Sequence, residues 1–304
     1  MPTLGADNLQ QINLEVAEVF GLATVSRNEK WDQVMRQKTP GRKDEKVTIV
    51  KLDNSVSNVA DGGAYQPSTV KEIGAYTITQ KIYKDSVTLG DFAEEFDNYG
   101  AIRQSALEKG LDYAYERDQL AADFFNNPTS TTAPYGFQVN GSSKTPLLSN
   151  TQPIGDTGLT QDNLVTGGLG YDTFFDALDL LKLQKRHNGN KAGYQAARLL
   201  YPTKKFKVAQ ELLYSKGTPE DANTAKNPIP GLGVIGLEWD LLTDDDNCFL
   251  MAPMMVTPSM IYFIKKNPSM RVIRNQQTGN VDYQFDMMLQ AGIADYQGVV
   301  GITG

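Results

Sequence analysis

The sequence predicts an α+β fold, and three features predict it. Strand-like segments come first, a helical stripe over residues 98–126 follows them in one block, and the last quarter of the chain reads as successive strands. At 304 residues the chain has the length of about two domains or one large one. Charged residues make up 21% and hydrophobic residues 40%, which excludes a charge-driven disordered chain.

Residues 1–20 are acidic and amphipathic, with neither a basic n-region nor an apolar h-region, so they are not a signal peptide. Folding in a reducing cytosol is the default expectation. The overall charge of −7 is unevenly spread. Between residues 27 and 51 eight bases (Arg27, Lys30, Arg36, Lys38, Arg42, Lys43, Lys46, Lys51) face four acids. That segment holds Thr39-Pro40-Gly41 and little apolar periodicity beyond Val19, Leu22 and Val25, so residues 1–46 read as an extended arm.

Residues 47–90 read as a long two-stranded hairpin. Residues 47–52 are β-rich, residues 76–84 alternate Ile78, Gln80, Ile82 and Lys84, and residues 54–75 carry turn chemistry. Such a hairpin has too few apolar residues for its own core and needs a surface to lie on. The helix of residues 98–126 places Leu107, Leu111, Ala114, Asp118, Ala121, Ala122 and Phe125 on one stripe and stops at Asn126-Asn127-Pro128. Gly100 and Gly110 each cost about 1 kcal/mol relative to Ala in a helix interior, so packing must hold it. From Asp91 to Asn126 nine acids outnumber three bases. A turn at Pro134-Tyr-Gly-Phe137 falls in the loop-rich segment 128–170, and residues 91–150 are taken as one domain.

Residues 151–255 form the next block. A helix over residues 171–187 presents Tyr171, Phe174, Phe175, Leu178 and Leu181 on one face; a strand at 198–201 and a helix at 203–214, with Phe206, Ala209 and Leu213 inward, follow. Strands are expected at 234–237, 249–252, 261–264, 271–273, 283–289 and 299–302, and residues 256–304 return to the first domain. Residues 247–264 are uncharged, but Pro253 and Pro258 break the run into two buried strands instead of a membrane span.

Motifs of enzymes and metal sites fail on context. Gly231-Leu-Gly-Val-Ile-Gly236 matches a dinucleotide fingerprint, but Pro228 and Pro230 precede it and no helical stripe follows, so it reads as a turn into a strand. Asp244-Asp245-Asp246-Asn247 puts Phe249 and Met255 where a calcium loop needs Gly and Glu, and reads as a solvated turn. His187 reads as a helix C-terminal cation before Gly189, and Cys248 as a small core residue. Asp118 reads as a partly buried carboxylate paired with a base or with backbone donors. Arg36, Arg42, Lys43 and Lys46 lack the interleaved aromatics of a nucleic-acid stacking surface; a basic arm laid on the acidic helix of another subunit accounts for both charge segments. No catalytic, cofactor or metal-binding residue is assigned.

The order of arm, hairpin, acidic helix, Pro-x-Gly turn, α/β block and terminal strands resembles the major capsid proteins of tailed bacteriophages, of the Hong Kong 97 type. Residues 118–125 (DQLAADFF) with Pro134-Tyr-Gly136 are similar to the end of that family's spine helix and the turn after it. Leu199-Leu-Tyr-Pro202 with Lys205-Phe206 and Leu212-Leu213 resembles its axial domain, and Arg271 and Arg274 with Val299-Val-Gly-Ile302 its peripheral strands. The likeness in motif order covers residues 91–304; the arm and hairpin match in organisation alone, and Asn126-Asn127 stands where a Gly often follows the spine helix.

The resemblance implies a shell protomer that assembles into pentamers and hexamers around double-stranded DNA, without sequence-specific binding and without a membrane. A scaffolding protein, a portal and a decoration or cement protein are the other implied partners; the place is the virion capsid, assembled in the host bacterial cytoplasm. The implied subunit-interface residues are Arg36, Arg42 and Lys43 of the arm, Asp61, Tyr65 and Lys71 of the hairpin, Asp112 and Glu116 of the helix, and Arg271 and Arg274. The chain begins at Met1 with the arm, from which a separate scaffold and no maturation cleavage are expected. Lys71 and Lys81 lie in the hairpin, and nothing marks either as a cross-linking residue. An encapsulin-like nanocompartment is the alternative within the fold. A soluble α/β hydrolase or sugar-binding protein, monomeric or dimeric, is the alternative outside it.

Overall fold

The computed structural model describes residues 6–52, 58–59, 61–65, 67–90, 99–139, 143–217, 226–253 and 260–304. The expected helix start at residue 98, part of the hairpin turn and the boundary at residues 255–256 lie outside the described residues. In chain order the elements are α1 (Ala6–Ser26), α2 (Trp31–Val34), β1 (Arg36–Lys38), β2 (Asp44–Leu52), β3 (Val70–Thr79), β4 (Lys81–Leu89) and α3 (Tyr99–Asn126). After them come β5 (Phe137–Val139), β6 (Ser143–Thr145), β7 (Gln152–Pro153), β8 (Thr160–Gln161), β9 (Leu164–Thr166), α4 (Tyr171–Leu183), β10 (Arg198–Pro202) and α5 (Phe206–Tyr214). Strands β11 (Ile235–Trp239), β12 (Cys248–Met251), β13 (Met260–Arg274), β14 (Val281–Ile293) and β15 (Val299–Thr303) complete the chain.

Two sheets organise these elements. The first has the order β1-β13-β14-β4. Along β14, Val281, Tyr283, Phe285, Met287 and Leu289 are buried at every second position, as a strand with one covered face requires. Its cover is helical: Phe20 of α1 stacks 4.9 Å from Phe285, and Tyr113 of α3 donates its hydroxyl to the Phe285 carbonyl at 2.9 Å. The two short strands expected at 261–264 and 271–273 are one strand, β13, whose register slips around Asn267-Pro268. Proline has no N–H for the ladder, so the pairing yields there and resumes beyond it.

The second sheet has the order β11-β10-β12-β15-β9 and divides two cores. Leu199, Tyr201, Cys248, Leu250, Val300 and Ile302 face α4 and α5, whereas Leu200, Phe249, Met251 and Val299 face the core that holds α3 and the first sheet. Strands covered on both faces must be apolar throughout. This explains the uncharged run that begins at Asn247.

Three expectations need correction. The N-terminal segment is not an extended arm through residue 46. Residues 6–26 are helical, Val16, Phe20 and Ala23 are buried, and β1 joins the first sheet parallel to β13. The hairpin pairs β2 with β3, and the chain then leaves it at Gln80, so that β4 pairs with β14. Gln80 is almost fully buried and makes the corner by donating Nε2 to the Arg42 carbonyl and its backbone N–H to that of Lys43. The hairpin root also has a surface on its own chain, since Val47, Ile49, Ile73 and Ile78 are buried there.

The third correction concerns the stripe of α3. Leu107 and Leu111 are exposed, while Ile102, Ala106, Tyr113, Ala114, Leu120 and Ala121 are buried. Helix α1 crosses at Gly110, where an added Cβ would collide with the Ala23 side chain and lie 2.8 Å from the Phe20 carbonyl oxygen. Glycine there admits a close helix crossing, and the large leucines flank it. Similarly, Phe206, expected inward, is exposed; Ala209, Leu212 and Leu213 carry the packing of α5.

Candidate subunit interface

The basic edge is built by fixing the backbone and leaving the charges outside. Arg36 lies on β1, and Arg42 and Lys43 lie in the turn before β2; all three side chains are exposed. None has an ion-pair partner within 4.0 Å among the described residues. Their main chain is held firmly. Glu45 Oε1 accepts the backbone N–H of Arg42 at 2.9 Å and that of Gly41, and these amide bonds hold its carboxyl below the usual value.

Arg27, the first base of that segment, is answered inside the chain. Its guanidinium bonds Asp240 at 2.8 Å and lies 3.8 Å from Asp118, while Arg117 pairs with Glu29. The expectation that the basic segment meets the acidic helix only across subunits is therefore corrected for its first residues. It leaves Arg36, Arg42 and Lys43 unspent.

Asp118 is fully buried. It accepts the backbone N–H groups of Lys30 (2.9 Å) and Trp31 (3.1 Å) and the indole N–H of Trp239 (2.9 Å). Burial raises its pKa and the three donors oppose that rise. This is the structural pairing that its place in the helical stripe suggested.

The other residues expected at an interface are scattered. Asp61 is exposed and Tyr65 wholly so. Lys71 is tied within its own chain, for it and Lys51 both bind Asp156, in the glycine-flanked loop between β7 and β8. Asp112 is 72% exposed on α3. Glu116 is half-buried and hydrogen-bonded to the Tyr83 hydroxyl, whose pKa rises through burial first and this carboxylate second. Arg271 donates Nε to Gln284 at 2.9 Å on the open face of the first sheet, and Arg274 is exposed at the end of β13.

Several apolar side chains, which the sequence reading missed, are exposed as well. Leu14, Leu22 and Val25 on α1, Leu107, Leu111 and Tyr115 on α3, and Val50, Leu52 and Val70 on the hairpin are all more than a third exposed. Tyr214, Leu232 and Ile235 do the same at the outer edge of the second sheet. Leu107, Leu111 and Tyr115 recur at every fourth residue, but the sequence reading placed Leu107 and Leu111 on the inward stripe with Ala114 and did not single out Tyr115.

The remaining motifs have structural explanations. Gly231 to Gly236 forms a turn, with Gly233 at φ 69°, into β11. Asp245 and Asp246 lie in a turn and pair with Lys204 and Lys205. Cys248 is buried in the second core, which pushes its thiol up to about 12. His187 is corrected. Helix α4 ends at Leu183, and His187 lies beyond it in a tight loop, buried, with Nε2 2.8 Å from Asp295. Among the described residues no His, Cys, Asp and Glu group could hold a metal ion, and no helix is long and apolar enough to cross a membrane.

No family model and no curated protein matches the sequence. Solved structures match the fold. The capsid of the cyanophage P-SCSP1u superposes with a TM-score of 0.57 at 12% identity, covering 91% of this chain and 88% of that one. The mature capsid of bacteriophage PhiM1 gives 0.56 at 10% identity, over 91% and 87% of the two chains. The SrpI encapsulin of Synechococcus elongatus PCC 7942 gives 0.54 at 10%, over 92% and 88%. The chain thus has the α+β fold of these shell subunits, the Hong Kong 97-type fold that the resemblance implied.

Proposed function

We propose, with that fold as premise, that the chain is the major capsid protein of a tailed bacteriophage. It would assemble into pentamers and hexamers of an icosahedral shell that encloses double-stranded DNA. The observation that carries this reading is the likeness to capsid subunits over about nine tenths of the chain, at 91% for two of them. Surface chemistry supports it. Exposed bases on β1 and before β2, an exposed carboxylate on α3 and apolar patches on α1, α3 and the hairpin suit head-to-tail contacts between different surfaces, which close into rings by rotation. A charge of −7 suits a wall that does not grip phosphates, so DNA would be enclosed without sequence-specific contact.

The hairpin beyond its root, with Val50, Leu52 and Val70 exposed, would lie over a neighbouring subunit. A scaffolding protein, a portal and a decoration protein would complete the particle, in the host cytoplasm and then in the virion. Size-exclusion chromatography and negative-stain microscopy of the expressed chain test the shell reading. Closed particles of megadalton mass are expected, and a monomer or dimer overturns it in favour of a soluble enzyme or binding protein. The likeness to an encapsulin at a TM-score of 0.54 supports a second reading, a nanocompartment. Particles filled with protein cargo instead of nuclease-protected DNA would select it.

A further inference from the structure

The hairpin changes character at a bulge. Below it the strands pair in register from Asp44 to Ile49 and from Gly74 to Thr79, and Val47, Ile49 and Ile78 are buried. Between Ile49 and Val50 the register shifts, with Ile73 left over on β3. A Cβ added at Gly74 would collide with the Gln138 carbonyl oxygen, so the root is pressed against β5. Beyond the bulge no described side chain is buried: residues 50, 52, 58–59, 61–65 and 67–72 are all exposed.

Charge ties this distal part to the body. Lys51 of β2 and Lys71 of β3 stand directly opposite each other in the ladder and converge on Asp156, one on each carboxylate oxygen. Like charges in that position repel, so the strand pair is at ease only with an acid between them. The acid is presented on a rigid turn. Ile154 is buried, Thr157 Oγ1 donates to its carbonyl at 2.6 Å, and Gly155 and Gly158 take φ of 52° and 74°. A Cβ at Gly155 would collide with the His187 carbonyl oxygen, and His187 is paired with Asp295 in the connection from β14 to β15.

In this position Val50, Leu52 and Val70 remain exposed, so the distal hairpin is held without covering its own apolar side chains. We propose that Asp156 is an autoinhibitory latch: it holds the distal hairpin on its own chain in the free protomer, and its release lets copies join. The proposal rests on the shell reading, in which the distal hairpin must leave its own body. Salt screens an ion-pair tie and leaves the apolar root in place.

A carbodiimide, which joins a carboxylate to an amine in direct contact, tests the latch in the full chain. Mass spectrometry should find Asp156–Lys51 and Asp156–Lys71 amides in unassembled protomers and much less of either in particles. By light scattering, Asp156→Asn should assemble about threefold faster than wild type, as expected for loss of a partly exposed ion-pair network. That difference should hold at about 0.1 M salt and vanish at about 1 M, where the screening length falls from about 10 to about 3 Å. Glu72→Gln, which breaks the Lys46–Glu72 pair inside the hairpin, should leave the rate unchanged. If Asp156→Asn does not fold by circular dichroism, Lys71→Gln is read in its place.

Amides equally abundant in protomers and particles, no gain in rate at low salt, or an equal gain from Glu72→Gln overturn the latch and leave the shell reading standing. Particles from Asp156→Asn with none from wild type support the latch. Absence of particles from both overturns the shell reading and the latch with it.

Discussion

Trp239 donates its indole N–H to Asp118 at 2.9 Å, and both side chains are fully buried. The same carboxylate holds the backbone N–H groups of Lys30 and Trp31, so one side chain of α3 joins the α1–α2 connection to the end of β11. Asp118→Ala would strand these donors. At about 1–3 kcal/mol per unsatisfied buried group the variant should lose about 3–5 kcal/mol, read from the urea midpoint. The carboxyl's raised pKa also has a sign. The proton-linked part of its contribution is complete below the unfolded value of 3.8 and is lost as pH rises through the higher folded value, while the hydrogen bonds to the carboxylate remain. The difference in stability between wild type and Asp118→Ala should therefore widen as pH falls through that window.

Gly110 and Gly100 lie on the same helix and should respond oppositely to Ala. At Gly110 the added methyl meets the Phe20 carbonyl and Ala23, and overpacking should cost about 1–3 kcal/mol despite the better helix propensity. At Gly100 nothing lies within 4 Å, so the substitution should be neutral or stabilise by about 0.5 kcal/mol. Thermal or urea unfolding of the two variants side by side checks this.

Arg36→Glu with Arg42→Glu should block assembly and leave the protomer folded. Both side chains are exposed and neither has an ion-pair partner within the described residues, so little folding energy is at stake. Normal circular dichroism with no particles in the microscope is the expected result. Normal shells would remove the basic edge from the interface.

Asp156 holds the hairpin by Lys51 and Lys71, and those two hydrogen-bonded ammonium groups lower its carboxyl to about 2. The lowered pKa means that the tether is present above 3.8 and fails as pH falls through about 2. Amide exchange at residues 50–52 and 70–72, corrected for intrinsic chemistry, should accelerate over that range. Asp156→Asn should show the faster exchange already at neutral pH, and equal rates in the two proteins would exclude a tether.

Much of the architecture was legible along the chain. The alternation of β14, the apolar runs of β12 and β15, the stop at Asn127-Pro128 and the turn into β11 are local properties, readable within a few residues. The candidate contact surface was legible in part. Unpaired bases at Arg36, Arg42 and Lys43 announced themselves by composition. The exposed stripe of Leu107, Leu111 and Tyr115 did not, because a helical period states that apolar residues share a face without stating which face is covered.

The sequence alone determined the fold class, the order of elements and the absence of a usable dinucleotide or calcium motif, because periodicity, chain breakers and motif context are short-range. Tertiary structure decided the rest through residues far apart in the chain. Ala23 against Gly110 chose the buried face of α3, the carbonyls of Arg42 and Lys43 against Gln80 turned the chain from hairpin to sheet, and the Lys30 and Trp31 amides against Asp118 closed the N-terminal segment onto the body. Such pairings depend on which surfaces meet when both cores close, and no local pattern contains that information.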